Sequence, residues 1–459
     1  MTPSSSVERL VVIGGDAAGM SAASQARRRR SRDELRIVAF EKGQHVSYSA
    51  CGIPYLVAGD VSSPDDLVAR TPEEFRKLDI DLRLGCEVVG ISLSSRSVTV
   101  RSGERTYDEP FDQLVIATGG VPASPDVPGS DASGIHGVQT LEDGIRLMDF
   151  LEDRAPRRAV VVGAGYIGLE MAEAMIRRGL EVALIDAADQ PMRTLDPDMA
   201  GLVANALRDL GVDLRLSCRL KGFSSAGGRV TGVHTDSGTL PADIVILGLG
   251  TKPNSALAAD AGITVGASGG IVVDRRQRTS AEGVWAAGDC VEVHHLISRR
   301  PTAIALGTHA NKQGRAAGIN IGGGYATFPG VVGTAASKIC SHEVARTGLT
   351  TQEALDAGFA VFSTVTESTT RAGYFPGAVP ITTKIIAERT TGRLLGAQIV
   401  GQEGAAKRID ALAVALWNGM TVEEMTGLDL SYAPPFAPVW DPVLIAARKT
   451  AEQLATLRP

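Results

Sequence analysis

Five cysteines stand at positions 51, 86, 218, 290 and 340 of the 459 residues. Their number is odd, they lie far apart, and there is no C-x-x-C pair. That pattern argues against a zinc cluster or a secreted disulfide framework, so no metal site is expected and a reactive cysteine would act alone. Cys51 is the candidate. It lies in Ser47-Tyr48-Ser49-Ala50-Cys51-Gly52-Ile53-Pro54-Tyr55, where Gly and Pro read as a loop turning into a helix. Unpaired backbone N–H groups and the helix dipole would stabilise thiolate there, the reactive form of sulfur. The expectation is therefore an activated thiol at Cys51, with the other four cysteines structural.

Two glycine clusters point to nucleotides. The apolar run 10–13 leads into Gly14-Gly15-Asp16-Ala17-Ala18-Gly19 and an Ala-rich helix, and a second strand, 36–40, ends at Glu41-Lys42. The same grammar recurs at 159–162, Gly163-Ala164-Gly165-Tyr166-Ile167-Gly168, a helix, and a strand ending at Asp186. Such glycines let the backbone turn sharply, approach a pyrophosphate, and aim free helix N–H groups at its charge. The second copy fits G-x-G-x-x-G fully; the first has Asp16 in the middle glycine position. Glu41 and Asp186 then suit the ribose hydroxyls of an adenosine. A carboxylate repels a 2′-phosphate, so Asp186 points to NADH, with NADPH use left open. Asp289, just after Gly288, suits a flavin's ribityl hydroxyls; alone it would read as a helix cap.

The elements around these motifs form an α/β pattern. Buried-looking strands are expected at 114–119, 243–248 and 283–287, the last leading to a helix near 302–318. Beyond about residue 328 a hairpin, 381–386 with 394–400, flanks a Thr391-Gly392 turn. Helices follow at 405–418 and 443–454, with a Pro-rich loop at 432–442 between them. The length suggests about three domains. With 52 glycines and 4% aromatics, the composition suits an enzyme with many strand-to-helix turns. The net charge of −6 and the single short basic block, Arg27 to Arg30 with Arg32, speak against a nucleic-acid partner. No apolar stretch approaches the ~20 residues that span a bilayer, so no membrane contact and a cytoplasmic location are expected.

On these residues the sequence resembles the FAD- and NAD(P)-dependent pyridine nucleotide-disulfide oxidoreductases over essentially the whole chain. The resemblance rests on the first glycine turn with Glu41, on Ala117-Thr118-Gly119, on the stretch from Gly163 to Glu170, and on Ala287-Gly288-Asp289. It implies two Rossmann-like dinucleotide-binding domains and a C-terminal α+β dimerisation domain. The implied bounds are 1–121 with 242–327 for a discontinuous FAD domain, 122–241 for the NAD(P) domain, and 328–459 for the third. FAD would be held by Gly14, Gly15, Ala17, Ala18, Gly19, Glu41, Lys42, Ala117, Thr118, Gly119, Gly288 and Asp289, with Val88 beside its adenine. NAD(P)H would be held by Gly163, Gly165, Ile167, Gly168, Asp186 and Gly250. Tyr166 would cover the flavin and swing away to admit nicotinamide.

Within that family, glutathione reductase-type enzymes carry two cysteines five positions apart and a C-terminal histidine. Here positions 46 and 56 are Val46 and Leu56, and no histidine follows His342. The sequence is instead similar to the single-cysteine branch, above all coenzyme A-disulfide reductases, with NADH oxidases, NADH peroxidases and CoA-dependent sulfur reductases as relatives. The peroxidases and related oxidases carry a histidine in the first glycine turn; Asp16-Ala17-Ala18 has none, which favours thiol over oxygen chemistry. The resemblance implies electron flow from NADH through FAD to Cys51 and on to a CoA mixed disulfide. NADH oxidation by O2 through a Cys51 sulfenic acid, and CoA-dependent sulfur or polysulfide reduction, are the alternatives. Tyr374 and Tyr432 match family tyrosines that reach the cysteine from the partner subunit of a homodimer. Ser21, Gln25 and Arg28, at i, i+4 and i+7 on one helix face, and Ser47 match CoA-contacting positions. Three positions depart from the best-matched reductase: Ala50 for asparagine, Asn311 for histidine and Trp440 for lysine.

Overall fold

Leu10, Val11 and Val12 are apolar in succession, as suits a strand buried on both faces of a parallel sheet. In the computed structural model, which describes residues 7–457, they form the centre of β1 (Glu8–Ile13). α1 (Ala17–Arg27), β2 (Leu35–Phe40), the short α2 (Ile53–Ala58), β3 (Ile80–Arg83) and β4 (Gln113–Ile116) follow. A strand from far down the chain, Val284–Ala286, pairs with β4, giving a parallel sheet ordered Val284–Ala286, β4, β1, β2, β3.

The second unit repeats this plan. β5 (Ile135–Gly137), β6 (Arg158–Val162), α3 (Tyr166–Arg177), β7 (Glu181–Ile185), β8 (Asp213–Arg215) and β9 (Ile244–Leu247) give a parallel sheet ordered β5, β9, β6, β7, β8. Each unit also carries a three-stranded antiparallel meander before the strand that returns to its centre. These are Cys86–Ser92, Ser97–Ser102 and Arg105–Pro110 in the first, and Leu220–Ala226, Arg229–Thr235 and Gly238–Pro241 in the second. The two differ in the edge strand: it comes after the rest of the sheet in the first unit and before it in the second.

α4 (Gly307–Ile321) packs along α1, with Gly314 and Gly318 against the backbone of Ala18 and Ala22. The helix expected from 302 begins at Gly307, because Pro301–Thr302 is taken up in a two-residue pairing with Val293–His294. The remaining chain forms β10 (Ala335–Ile339), β11 (His342–Gly348), β12 (Val361–Thr369), β13 (Pro380–Glu388) and β14 (Leu394–Gly401), an antiparallel sheet ordered β10, β11, β14, β13, β12. α5 (Ile409–Trp417), preceded by a 3₁₀ turn at Ala406–Arg408, and α6 (Pro442–Leu457) cover it. Polar ties bind this sheet to the second unit: Lys384 Nζ lies 2.8 Å from carboxylates of both Asp196 and Asp198. No described helix is long and apolar enough to cross a membrane.

Candidate functional site

The two glycine turns have the same geometry. Gly14 and Gly163 take φ of +106° and +105°, and a Cβ on either would overlap a carbonyl, that of Ala117 or Gly248 respectively. Only glycine meets both demands. At the end of β2, Glu41 accepts the N–H of Gly15 at 2.8 Å and that of Gly43 at 2.7 Å. At the end of β7, Asp186 accepts the N–H of Ala164 at 2.6 Å and that of Ala188 at 2.7 Å. Each acid is thus fixed beside its turn. The helix Leu141–Arg154 is closed by a Thr140–Asp143 capping box, whereas α1 and α3 start without a side-chain cap. Uncapped helix N-termini above glycine turns fit the pyrophosphates of two dinucleotides.

The other first-unit residues line the same end of the sheet. Ala117 N–H donates to Ile13 O at 2.8 Å, Thr118 Oγ1 donates to Asn254 O at 2.6 Å, and Asn254 N–H donates to Gly119 O at 2.9 Å. Gly288 N–H is held by Gln313 at 2.8 Å. Burial pushes the Asp289 carboxyl up while a bond from the Leu306 amide pulls it down. Val88 is half-buried on the first meander, Lys42 is exposed after β2, and Gly250 O accepts the Ala123 N–H at 2.9 Å. Cys290 is buried, its thiol directed at the Ile116 and Ala287 carbonyls.

Cys51 hangs on a loop tied to the first glycine turn. Ser47, at φ +48°, donates its N–H to Gly15 O at 3.0 Å and accepts from Ala69 N–H at 2.8 Å. Tyr48 N–H donates to Asp16 Oδ1 at 3.2 Å, and Ser49 N–H to Leu67 O at 2.8 Å. Cys51 then lies in the 3₁₀ turn Ala50–Gly52 just ahead of α2. The residue reaches solvent, yet the expected activation by the helix is reversed. Burial of the sulfur's inner side pushes the thiol pKa up, and the charges of Glu170, Asp289 and Asp16 push it further. The physical reason is balance: burial is the largest effect opposing the thiolate, three carboxylates add to it, and the start of α2, only six residues long, does not offset them.

Tyr166 opens α3. It is half-buried, its hydroxyl 3.4 Å from that of Thr194, and both line a cavity of about 550 Å³ with Leu306, Gly333 and Ala335. Ile167 beside it is half-buried. Glu170 lies one helical turn beyond Tyr166, held at 2.8 Å by the Ser337 hydroxyl from β10. Burial pushes its carboxyl up to about 7. Glu170 is a site residue beyond those expected from the sequence, and its i, i+4 spacing from Tyr166 is the signal that marks it.

Tyr374 and Tyr432 meet on the C-terminal unit, 78% and 48% exposed. Their phenols share a hydrogen bond that holds the Tyr432 proton more firmly. Phe436, Val439 and Trp440 are exposed on the same stretch of chain. Within the chain, the charges acting on Cys51 come from Glu170, Asp289 and Asp16. Ser21 Oγ donates to Asn311 at 2.8 Å, and Gln25 Oε1 accepts from Arg29 at 3.0 Å. Arg28 is exposed and caps α1.

Comparison with known proteins gives two family matches: Pyridine nucleotide-disulphide oxidoreductase over residues 8–314, and the dimerisation domain of the same name over residues 334–442. A curated relative, the NAD(P)H coenzyme A polysulfide/persulfide reductase of Pyrococcus horikoshii, is 38% identical over 446 residues, covering 96% of this chain and 98% of the relative. The NADH oxidase of Methanocaldococcus jannaschii is 36% identical over 450 residues, covering 97% and 99%. Among solved structures, an NAD-dependent persulfide reductase from A. fulgidus superposes with a TM-score of 0.94 at 39% identity, covering 98% of this chain and 84% of that one.

Proposed function

The chain belongs to the pyridine nucleotide-disulphide oxidoreductase family, and on that premise we propose that it reduces coenzyme A disulfide through Cys51. The family's cofactors are FAD and NAD(P)H, and its C-terminal unit is a dimerisation domain. Bound over the first glycine turn by Glu41 and Asp289, FAD would supply the means of passing two electrons from NAD(P)H to sulfur.

The residues divide the work. Glu41 and Asp289 orient FAD over the first glycine turn, and Asp186 selects NADH at the second. Cys51, as thiolate, attacks CoA disulfide: one S–S bond breaks, one CoA thiolate leaves, and a Cys51–S–S–CoA bond forms. Two electrons then restore the Cys51 thiolate and release the second CoA. Tyr374 and Tyr432 of the second copy of the chain return a proton to the departing thiolate, a role open to phenols that are exposed on the surface of the C-terminal unit. Ser21, Gln25, Arg28 and Ser47 hold CoA at the mouth of the site. The domain division 1–121 with 242–327, 122–241 and 328–459 belongs to the same proposal and is supported by the grouping of strands into sheets. So does a cytoplasmic location, supported by five free cysteines.

The observation that carries this reading is Cys51's place, on a loop tied to the first glycine turn and within electrostatic reach of Asp289 and Glu170. A second reading, reduction of a CoA persulfide with release of sulfide, uses the same thiol and is favoured by the names of the relatives at 38% and 39% identity. Anaerobic oxidation of NADH with CoA disulfide tests the first: two CoA thiols per NADH are expected, and none with Cys51→Ser. NADH oxidation that ignores CoA disulfide but yields sulfide from CoA persulfide selects the second. Oxidation that requires oxygen overturns both.

A further inference from the structure

The first glycine turn departs from its duplicate at one of the three glycine positions of the motif. Where the second unit has Gly165, the first has Asp16. A Cβ added at Gly165 would meet nothing within 4 Å, so the turn tolerates a side chain there without requiring one. Asp16 sits in extended backbone at the start of α1, and its carboxylate does not cap that helix. It accepts instead the amide of Tyr48, three residues before Cys51.

We propose that Asp16 is a positioning residue for Cys51: its carboxyl ties the cysteine loop to the first glycine turn and, by gaining or losing its proton, sets how readily the thiol ionises. This rests on Cys51 being the reactive thiol. Three features support it. The Tyr48 bond is a direct mechanical link into the loop. The Asp16 charge is one of three that act on the Cys51 sulfur. Burial pushes the Asp16 carboxyl up to about 6, so its charge changes just below neutrality.

The groups around Asp16 fix the sign. Glu41 at the end of β2 and Asp289 after the strand Val284–Ala286 both raise it, while the Tyr48 and Ala17 amides lower it. Cys51 and the Tyr48 phenol are destabilised as anions by it. α4, packed along α1, carries His309, Lys312 and Arg315 in its sequence; the charges that act on Asp16 are those of Glu41 and Asp289. Above its pKa, Asp16 is an anion that adds to burial, Glu170 and Asp289 in opposing the thiolate; below it, the Asp16 share of that opposition disappears.

The test is alkylation of Cys51 in the holoenzyme by iodoacetamide, read by peptide mass spectrometry between about pH 4.5 and about pH 8.5. Asp16→Asn keeps an acceptor for Tyr48 but no charge, and Asp16→Gly restores the residue of the duplicate turn. For Asp16→Asn, the rate relative to the parent is expected near unity below about pH 5, rising through about pH 6 to roughly threefold or more. Asp16→Gly is expected to show the same pH-dependent rise. A ratio that stays constant across this range, at unity or at any other value, in whichever variant folds, overturns the proposal. Alkylation consumes neither NADH nor a disulfide, so this outcome is independent of the acceptor. A Cys51→Ser enzyme with full turnover would overturn the proposed function instead.

Discussion

Ser337, on the C-terminal sheet, donates its hydroxyl to Glu170 at 2.8 Å, across to the helix that begins at Tyr166. One bond thus connects the dimerisation unit to a half-buried carboxyl that acts electrically on both Tyr166 and Cys51. Burial opposes its ionisation more strongly than Ser337 favours it.

Stability should follow from that balance. The folded-state pKa of Glu170 is raised to about 7 from 4.5. Its protonation therefore contributes stability that is fully present below the unfolded value and lost as pH rises through about 7. Glu170→Gln removes the titration. The variant should match the parent near pH 5 and exceed it at pH 8 by on the order of 2 kcal/mol. Urea unfolding at the two pH values checks this; equal differences at both would contradict it.

Nucleotide choice should reside in Asp186. Its carboxylate is pinned by two backbone amides at the end of β7, where an added phosphate would meet a fixed negative charge. Asp186→Ala should raise kcat/KM for NADPH relative to NADH by about tenfold, or roughly 1.4 kcal/mol. Steady-state kinetics with both nucleotides decide it, and an unchanged ratio would remove this role from Asp186.

Much of this was legible in the chain. The two glycine turns and their acids could be read because one physical demand, a backbone turn beside a phosphate, restricts residue type at fixed spacing. The doubled topology followed from the same repeat. The state of Cys51 was not legible. Asp16, Glu170 and Asp289 lie far apart in sequence, and their shared action on the sulfur exists only after the first and second units pack. The start of the helix at Gly307 was hidden for a similar reason: the pairing of Pro301–Thr302 with Val293–His294 is a tertiary choice.

The tyrosine pair should matter to one half of the cycle. Tyr374→Phe with Tyr432→Phe removes two phenols that share a hydrogen bond on an exposed surface. Turnover with CoA disulfide should fall by roughly 10²-fold. Flavin reduction by NADH, followed by stopped-flow absorbance, should keep the parent rate. A matching loss in both halves would mean that the pair supports structure and not proton return.

The most direct measurement is the mass of the intact oxidised protein after incubation with CoA disulfide, before and after anaerobic NADH. A CoA adduct confined to the Cys51 peptide, and released stoichiometrically by NADH, is the predicted result. No adduct on Cys51, with CoA disulfide still reduced at the parent rate by Cys51→Ser, would contradict a mechanism carried by that single sulfur.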